Sequence, residues 1–228
     1  MIAVIPSVQY ADFLAVTLPA WQRALPQATI RVVTSREDAE TQRVCREAGV
    51  EAYQTGAWQA DRATLNTAKA LDEAFASAAP GELCVSVDAD CYPCGTFPDE
   101  DTFAPDVLYG CVRYLCRSMA ELRAHLDGRT PRAALQLMGH RLEQTGYGIV
   151  SNTPAEVARL AAEGPGYCKA FRYGAVRFGS FRTAGVYDTA FAAKFTTKRP
   201  LVDFYVLHLG PSRGRNWRAR VVPQWVTA

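Results

Sequence analysis

Short apolar segments alternate with segments of helical spacing through residues 1–88, and this alternation limits the possible folds most strongly. The apolar segments are residues 2–6, 29–33, 50–54 and 82–88, and the helical segments between them are residues 13–25, 36–48 and 64–78. In the last helical segment, apolar residues recur at intervals of three or four. Strands joined by such helices form crossover units, so the sequence predicts an α/β fold with a mainly parallel sheet flanked by helices.

The second half of the sequence is less regular than the first. Its expected strands lie at 104–116, within 142–151 and at 201–208, and its expected helices at 119–126 and 154–162. The chain has 228 residues, of which 49% are hydrophobic, so it can bury one sizeable core and does not belong to the disordered classes. We therefore expect a single domain with an irregular second half.

The apolar runs and the N-terminus favour a soluble protein. No stretch approaches the roughly 18 consecutive apolar residues that a membrane-spanning helix needs. The first residues also lack the basic region of a secretion signal. We therefore expect no transmembrane segment and a cytoplasmic location.

The seven cysteines do not suggest a disulfide framework, because their number is odd and no secretion signal precedes them. Cys91 and Cys94, together with Cys111 and Cys116, have the outline of a four-thiolate zinc site. The second pair lies in an apolar, strand-like run, which favours small buried thiols. Structural zinc is the alternative.

Positive charge is concentrated in the last part of the chain. Residues 164–228 contain eleven Lys and Arg but only two acidic residues, although the whole chain has a net charge of +2. A basic segment on an acidic body favours an anionic partner, such as a diphosphate or a nucleic-acid backbone. The alternative is that this segment neutralises the protein's own acidic surface.

The strongest candidate site is the sequence Val85-Ser-Val-Asp88-Ala-Asp90. Its two carboxylates follow a predicted buried strand, at the end where open α/β sheets bind ligands. Both can face one ion if the chain leaves the strand at Ala89. Carboxylate oxygens suit Mg²⁺ or Mn²⁺, and such ions commonly bridge a protein to a diphosphate. The pair therefore predicts a divalent-ion site.

Two further candidate features lie near the end of the chain. His208 ends an apolar strand and is followed by Gly210, so it is a candidate third metal ligand; the alternative is a buried histidine with a structural role. The next segment contains four arginines, among them Arg213 and Arg215, around a glycine and a tryptophan. This composition predicts a cationic loop that clamps phosphates, with a solvated tail as the alternative.

The order of these features resembles the nucleotide-sugar-dependent glycosyltransferases of the GT-A fold, and the resemblance runs across most of the chain. Its most specific element is the Asp-x-Asp after the strand–helix alternation. The other elements are the strand ending at Pro6-Ser7, the turn with Asp38, the helix residues Asn66 and Lys69, and the late His-x-Gly at His208. The resemblance implies a GT-A-like sheet, with a nucleotide-binding half at 1–110 and an acceptor half with the basic segment at 111–228.

This resemblance also implies an activity and a set of site residues. The chain would be a metal-dependent glycosyltransferase that uses a nucleoside diphosphate sugar of the UDP or GDP type and Mn²⁺ or Mg²⁺. Asp88 and Asp90 would hold the ion and the donor's ribose and diphosphate, and His208 would complete the metal shell. The other donor-binding residues would be Pro6, Ser7, Asp38, Asn66, Lys69, Arg113, Arg213 and Arg215. The acceptor would be a hydroxyl group of a glycan or a nucleic acid.

An inverting reaction also needs a catalytic base, which in the resembling family is a carboxylate ahead of a helix in the acceptor half. Asp188 matches this pattern and is one of only two acidic residues after residue 163, the other being Asp203. Tyr187 stands where the family often has a second acid. Helix capping is the alternative role of Asp188.

Two other functions compete with sugar transfer. A nucleotidyltransferase would also use a carboxylate and a metal at a strand end, but residues 6–11 lack the glycine-rich loop expected there. A nucleic-acid-binding module would use the basic C-terminal quarter and its aromatic residues. Salt-sensitive binding of nucleic acid without binding of a nucleoside diphosphate would favour this module.

Overall fold

The structure of the chain is a computed structural model that describes residues 1–62, 65–140, 147–163, 168–174, 176–181 and 187–210. The strands are β1 (Ile2–Pro6), β2 (Thr29–Thr34), β3 (Glu51–Gln54), β4 (Leu83–Val87), β5 (Cys91–Gly95), β6 (Val107–Cys116), β7 (Gln136–His140), β8 (Tyr147–Ile149), β9 (Cys168–Arg172) and β10 (Thr197–Leu209). The helices are α1 (Ala11–Ala24), α2 (Ala39–Ala48), α3 (Thr67–Phe75), α4 (Met119–Leu126), α5 (Pro154–Glu163) and α6 (Tyr187–Ala192). Within these ranges, no helix is long and apolar enough to cross a lipid bilayer.

The strands of the described residues form one sheet, and the predicted α/β class is confirmed. The strand order is β3-β2-β1-β4-β9-β6-β10-β5, with β7 beside β6 and β8 beside β7. Strands β1 to β4 pair in parallel, as do β6 and β10, whereas β5, β7, β8 and β9 run antiparallel to their partners. The sheet is therefore mainly parallel through its first half and mixed in its second.

The strand order reverses direction at β1, and this reversal defines where a ligand can bind. From β1 the chain passes through α1 to β2 on one side of β1, and later through α3 to β4 on the other side. The register pairs Val4 with Ser86, so the carboxyl ends of β1 and β4 lie next to each other. In open α/β sheets, ligands bind in the crevice outside such a switch point.

Strand β9 enters the sheet between β4 and β6, far from its position in the sequence. Lys169 is opposite Ser86 of β4 on one side and opposite Gly110 of β6 on the other. The sheet therefore places Lys169, a basic residue of the second half of the chain, opposite a residue that precedes Asp88 by two positions. The sequence patterns did not predict this strand.

Alternate residues of the strands supply two core layers, one on each face of the sheet. Ala3 and Ile5 pack with Leu18 of α1 on one face, whereas Val4 packs with Leu71 of α3 on the other. This alternation is what a strand covered on both sides requires. Each fully buried leucine contributes on the order of 1.5–3 kcal/mol to folding.

The seven cysteines are free thiols, and six of them are buried, as the sequence favoured. Cys91 and Cys94 lie on β5, whereas Cys111 and Cys116 lie on β6. Strand β10 lies between these two strands, so the two cysteine pairs are not on adjacent strands. Burial raises the pKa of the Cys84 and Cys94 thiols to about 12.

We expect iodoacetamide at pH 8 to alkylate fewer than about one thiol per native chain, because six of the seven cysteines are buried away from the reagent. Burial also raises the pKa of the Cys45 and Cys116 thiols to about 11, so little of the reactive thiolate form is present. In urea, all seven cysteines should react. Mass spectrometry of the intact chain counts the labels. Rapid labelling of several cysteines in the native protein would contradict the buried packing.

Candidate functional site

The turn after β4 holds the Asp-x-Asp between α1 and β10. The backbone carbonyl of Asp88 accepts a hydrogen bond from the Cys91 amide at 3.1 Å, which closes the turn. The Thr17 hydroxyl donates to the Ala89 carbonyl at 2.8 Å, and the Leu209 amide donates to the Asp90 carbonyl at 2.8 Å. These hydrogen bonds hold the backbone of the turn from both sides. The chain leaves β4 after Val87, so Asp88, Ala89 and Asp90 all lie in the turn.

Asp90 and His208 lie together at the end of β10. Antiparallel pairing sets His208 opposite Cys91, and the His208 Nε2 atom lies 3.5 Å from Asp90 Oδ2. Burial is the main reason that the pKa of His208 is lowered to about 4; Asp90 opposes this shift and Arg113 adds to it. The imidazole is therefore neutral near pH 7, which is the form that binds metal ions.

Asp88 lies among charged groups of both signs. Burial raises the pKa of its carboxyl well above the usual value, and so do Asp188 and Asp90, whereas Lys169 and Arg113 oppose the rise. These groups come from the turn after β4 and from α6, β9 and β6. The fold thus brings together three predicted site carboxylates with Arg113, which was also predicted, and Lys169, which was not.

Asp188 is the second residue of α6 and forms an ion pair with Lys169. The Lys169 side chain is 1% exposed and the Asp188 side chain 17% exposed. Lysine is almost never fully buried unless it is paired. The available sequence signal was a single lysine inside the short apolar run Cys168-Lys-Ala-Phe171, which is too short to establish a buried strand by itself.

A divalent ion fits this site only if a bound substrate supplies some of the coordinating atoms. Among the described residues, no three His, Cys, Asp or Glu side chains form a group that could hold a metal ion. Asp88, Asp90 and neutral His208 nevertheless offer oxygen and imidazole donors of the right chemistry. Mg²⁺ is usually bound by one or two carboxylates together with substrate phosphates rather than by a complete protein cage, and these residues suit that arrangement.

Three predicted nucleoside-binding residues lie where β1 and β2 end. Pro6 ends β1, and the buried Ser7 hydroxyl lies 3.3 Å from the Thr41 hydroxyl. The Asp38 carboxylate accepts hydrogen bonds from the Thr41 amide at 3.1 Å and the Gln9 amide at 2.5 Å. Asp38 therefore caps α2 and ties the loop after β1 to that helix.

The predicted residues of α3 have separate surroundings. Asn66 caps the helix by accepting a hydrogen bond from the Lys69 amide at 3.2 Å, and its amide group also donates to the Ser180 hydroxyl at 2.8 Å. Lys69 lines a groove of about 430 Å³ together with Arg36, Tyr53 and Glu73. Arg213 and Arg215, the remaining predicted donor-binding residues, lie outside the described residues.

No model of a known protein family matches the chain, and no curated protein matches it. Solved structures do match its fold. The mannosyl-3-phosphoglycerate synthase from Rubrobacter xylanophilus is 20% identical, with 58% of this chain and 48% of that protein covered and a TM-score of 0.36. The mannosyltransferase PcManGT from Pyrobaculum calidifontis, solved with GDP-Man and Mn²⁺, is 18% identical, with coverages of 95% and 58% and a TM-score of 0.49.

A third solved structure is the galactosyltransferase LgtC in complex with donor and acceptor sugar analogs. It is 14% identical, with coverages of 67% and 58% and a TM-score of 0.34. The chain spans 48% to 58% of the length of these three proteins. At these identities the similarity concerns the fold alone.

Proposed function

We propose that this chain is a glycosyltransferase that moves a sugar from a nucleoside diphosphate sugar to an acceptor hydroxyl with a divalent ion. The observation that carries the proposal is the charged cluster at the switch point of the sheet, where Asp88, Asp90 and Asp188 meet Lys169 and Arg113. A site with metal-binding carboxylates, a phosphate-binding arginine and a further carboxylate has the groups that this transfer needs. The acceptor and a cytoplasmic location stay predictions.

In this proposal the donor spans from the end of β2 to the end of β4. We assign its base to the groove lined by Tyr53 and Lys69, whose volume of about 430 Å³ suits a small-molecule site. Pro6 and Ser7 would border the nucleoside. Asp38 and Asn66 would shape this pocket through the loops that they hold.

The diphosphate would lie beside the Asp-x-Asp. Asp88, Asp90 and His208 would hold Mn²⁺ or Mg²⁺ together with phosphate oxygens, and the ion would offset the charge that develops on the departing diphosphate. Arg113, with Arg213 and Arg215 of the basic segment, would bind phosphate oxygens directly. Because the protein ligands do not complete a metal site on their own, ion binding and donor binding should depend on each other.

Asp188 would act as the general base of an inverting reaction. As the acceptor oxygen attacks the anomeric carbon, its proton passes to the Asp188 carboxylate and the bond from that carbon to the diphosphate breaks. A carboxylate that is 17% exposed is open enough to reach a bound hydroxyl group. Asp88 and Asp90 would thus serve the ion and the donor, whereas Asp188 would serve the acceptor.

Mutual dependence of ion and donor is testable by calorimetry with UDP or GDP and Mn²⁺. We expect wild-type protein to bind the nucleotide at least about tenfold more tightly with Mn²⁺ than with EDTA, and Asp90→Ala to abolish this difference. Asp99→Ala, which removes an exposed carboxylate that caps nothing, is the control. If the wild type binds the nucleotide equally well with Mn²⁺ and with EDTA, the proposed role of the metal ion is wrong. If it binds no nucleotide at all, the proposed function is wrong.

A further inference from the structure

Lys169 is a buried cation that has no assigned role in the proposed reaction. Its side chain is 1% exposed, and its ammonium group donates to Asp188 Oδ1. Lys169 is opposite Ser86 on the neighbouring strand β4, so the Lys169 and Ser86 side chains project from the same face of the sheet. Asp88 follows two residues after Ser86. The positive charge of Lys169 also stabilises the Asp88 carboxylate, although burial has the larger and opposite effect on that group.

The docking of α6 explains how Lys169 and Asp188 meet. Lys169 and Phe171 lie two residues apart on β9 and therefore face the same side, while Asp188 and Phe191 lie three residues apart on one face of α6. The Phe171 and Phe191 rings are 5.0 Å apart, and Phe191 also stacks on Phe178 at 3.9 Å. The helix is thus held by an apolar contact at one point and by the ion pair at another.

The aromatic contacts of Phe191 attach the helix to the sheet independently of the ion pair. An ion pair in a buried position has no general advantage in stability, because both charges lose their hydration. Asp188 and Asp88 carry charges of the same sign and repel each other within this cluster. Without a cation between the strand and the helix, Asp188 would be expected to turn away from Asp88 and toward solvent.

We propose that Lys169 is a positioning residue that holds the Asp188 carboxylate beside the donor site in the orientation needed to deprotonate the acceptor. This inference rests on the proposed function, because it takes Asp188 as the base. Lys169 is buried and does not need to touch either substrate. In this proposal its effect on the rate passes through Asp188, with which it forms the ion pair.

A double-mutant cycle tests this dependence. The variants are Lys169→Met, which keeps the length and removes the charge, Asp188→Asn, and the two combined. Transfer is measured as kcat and as KM for the donor, and nucleotide affinity with Mn²⁺ is measured by calorimetry. Lys194→Met, which makes the same substitution at an exposed lysine after α6, is the matched control.

We expect Lys169→Met to lower kcat by about 10²-fold, with a smaller change in nucleotide affinity, because orientation of a base acts on the chemical step. In the Asp188→Asn background, the same substitution should change kcat by less than about threefold. Lys169→Arg, which keeps the charge, should retain more activity than Lys169→Met. If Lys169→Met does not fold, Lys169→Arg takes its place in the cycle and should lower kcat only when Asp188 is present.

Other results overturn the inference in recognisable ways. Losses of kcat that multiply in the combined variant would mean that Lys169 acts independently of Asp188. Unchanged kcat in Lys169→Met would mean that the ion pair is only structural. A wild-type protein that binds no nucleotide and transfers no sugar from UDP- or GDP-linked donors would instead refute the proposed function itself, before any variant is compared.

Discussion

Asp188→Asn is expected to lower kcat by about 10²- to 10⁴-fold, which is the usual contribution of a general base. The amide keeps the size of the side chain and can still accept a hydrogen bond, but it cannot take the proton of the acceptor. The helix should remain in place, because Phe191 packs against Phe171 and Phe178. The loss should therefore appear in kcat more than in donor affinity.

Steady-state kinetics with a nucleoside diphosphate sugar measures this effect. Asp203→Asn is the matched control, because Asp203 is the only other acidic residue after residue 163 and its side chain is exposed on β10. Turnover by Asp188→Asn within a few-fold of the wild type, with an unchanged melting temperature, would exclude the base. A retaining mechanism would then be the better hypothesis for this site.

Gly95→Ala is expected to destabilise the fold by about 2–5 kcal/mol, from the combined costs of a left-handed backbone and of steric overlap. Gly95 has φ +80°, and a Cβ atom there would overlap the carbonyl oxygen of Asp203 on β10. That oxygen also accepts a hydrogen bond from the Thr96 amide at 3.2 Å, so it cannot move away freely. The same strand pairing sets His208 opposite Cys91, next to Asp90.

Gly81→Ala provides a control with the same backbone angle. Gly81 also has φ +80°, but a Cβ atom there meets no other atom within 4 Å. The Gly81→Ala substitution should therefore lower the free energy of unfolding by only about 1–2 kcal/mol, which is the cost of the left-handed backbone conformation. Urea unfolding of both variants gives the difference, and equal losses would show that the close approach of β5 and β10 is not tight.

The α/β architecture of the first half could be predicted because it depends on patterns among residues that are close together along the chain. Gly49, for instance, ends α2 in a left-handed conformation, as a glycine after a helical pattern predicts. The helix begins at Ala39 rather than at residue 36, because Asp38 caps it by accepting a hydrogen bond from the Thr41 amide. Such a boundary depends on side-chain geometry that periodicity does not contain.

After β4, the chain contains strands that the patterns did not predict. Strand β5 consists of Cys91-Tyr-Pro-Cys-Gly95, a composition that is typical of a turn, and it forms a strand because β10 lies beside it. Strand β9 is short and contains a charged residue. Its burial depends on β4 and β6 closing around it from opposite sides.

The sequence alone determined the alternation of strands and helices through β4, and it put the Asp88–Asp90 pair at the end of a buried strand, because these features depend on residues that are neighbours along the chain. Only the tertiary structure decided that Lys169 would join that pair and hold Asp188 beside it. Ser86 and Lys169 are 83 positions apart, and their pairing depends on how all the strands share the sheet. Periodicity describes which face a residue presents, but the partner on that face is selected by packing across the whole core.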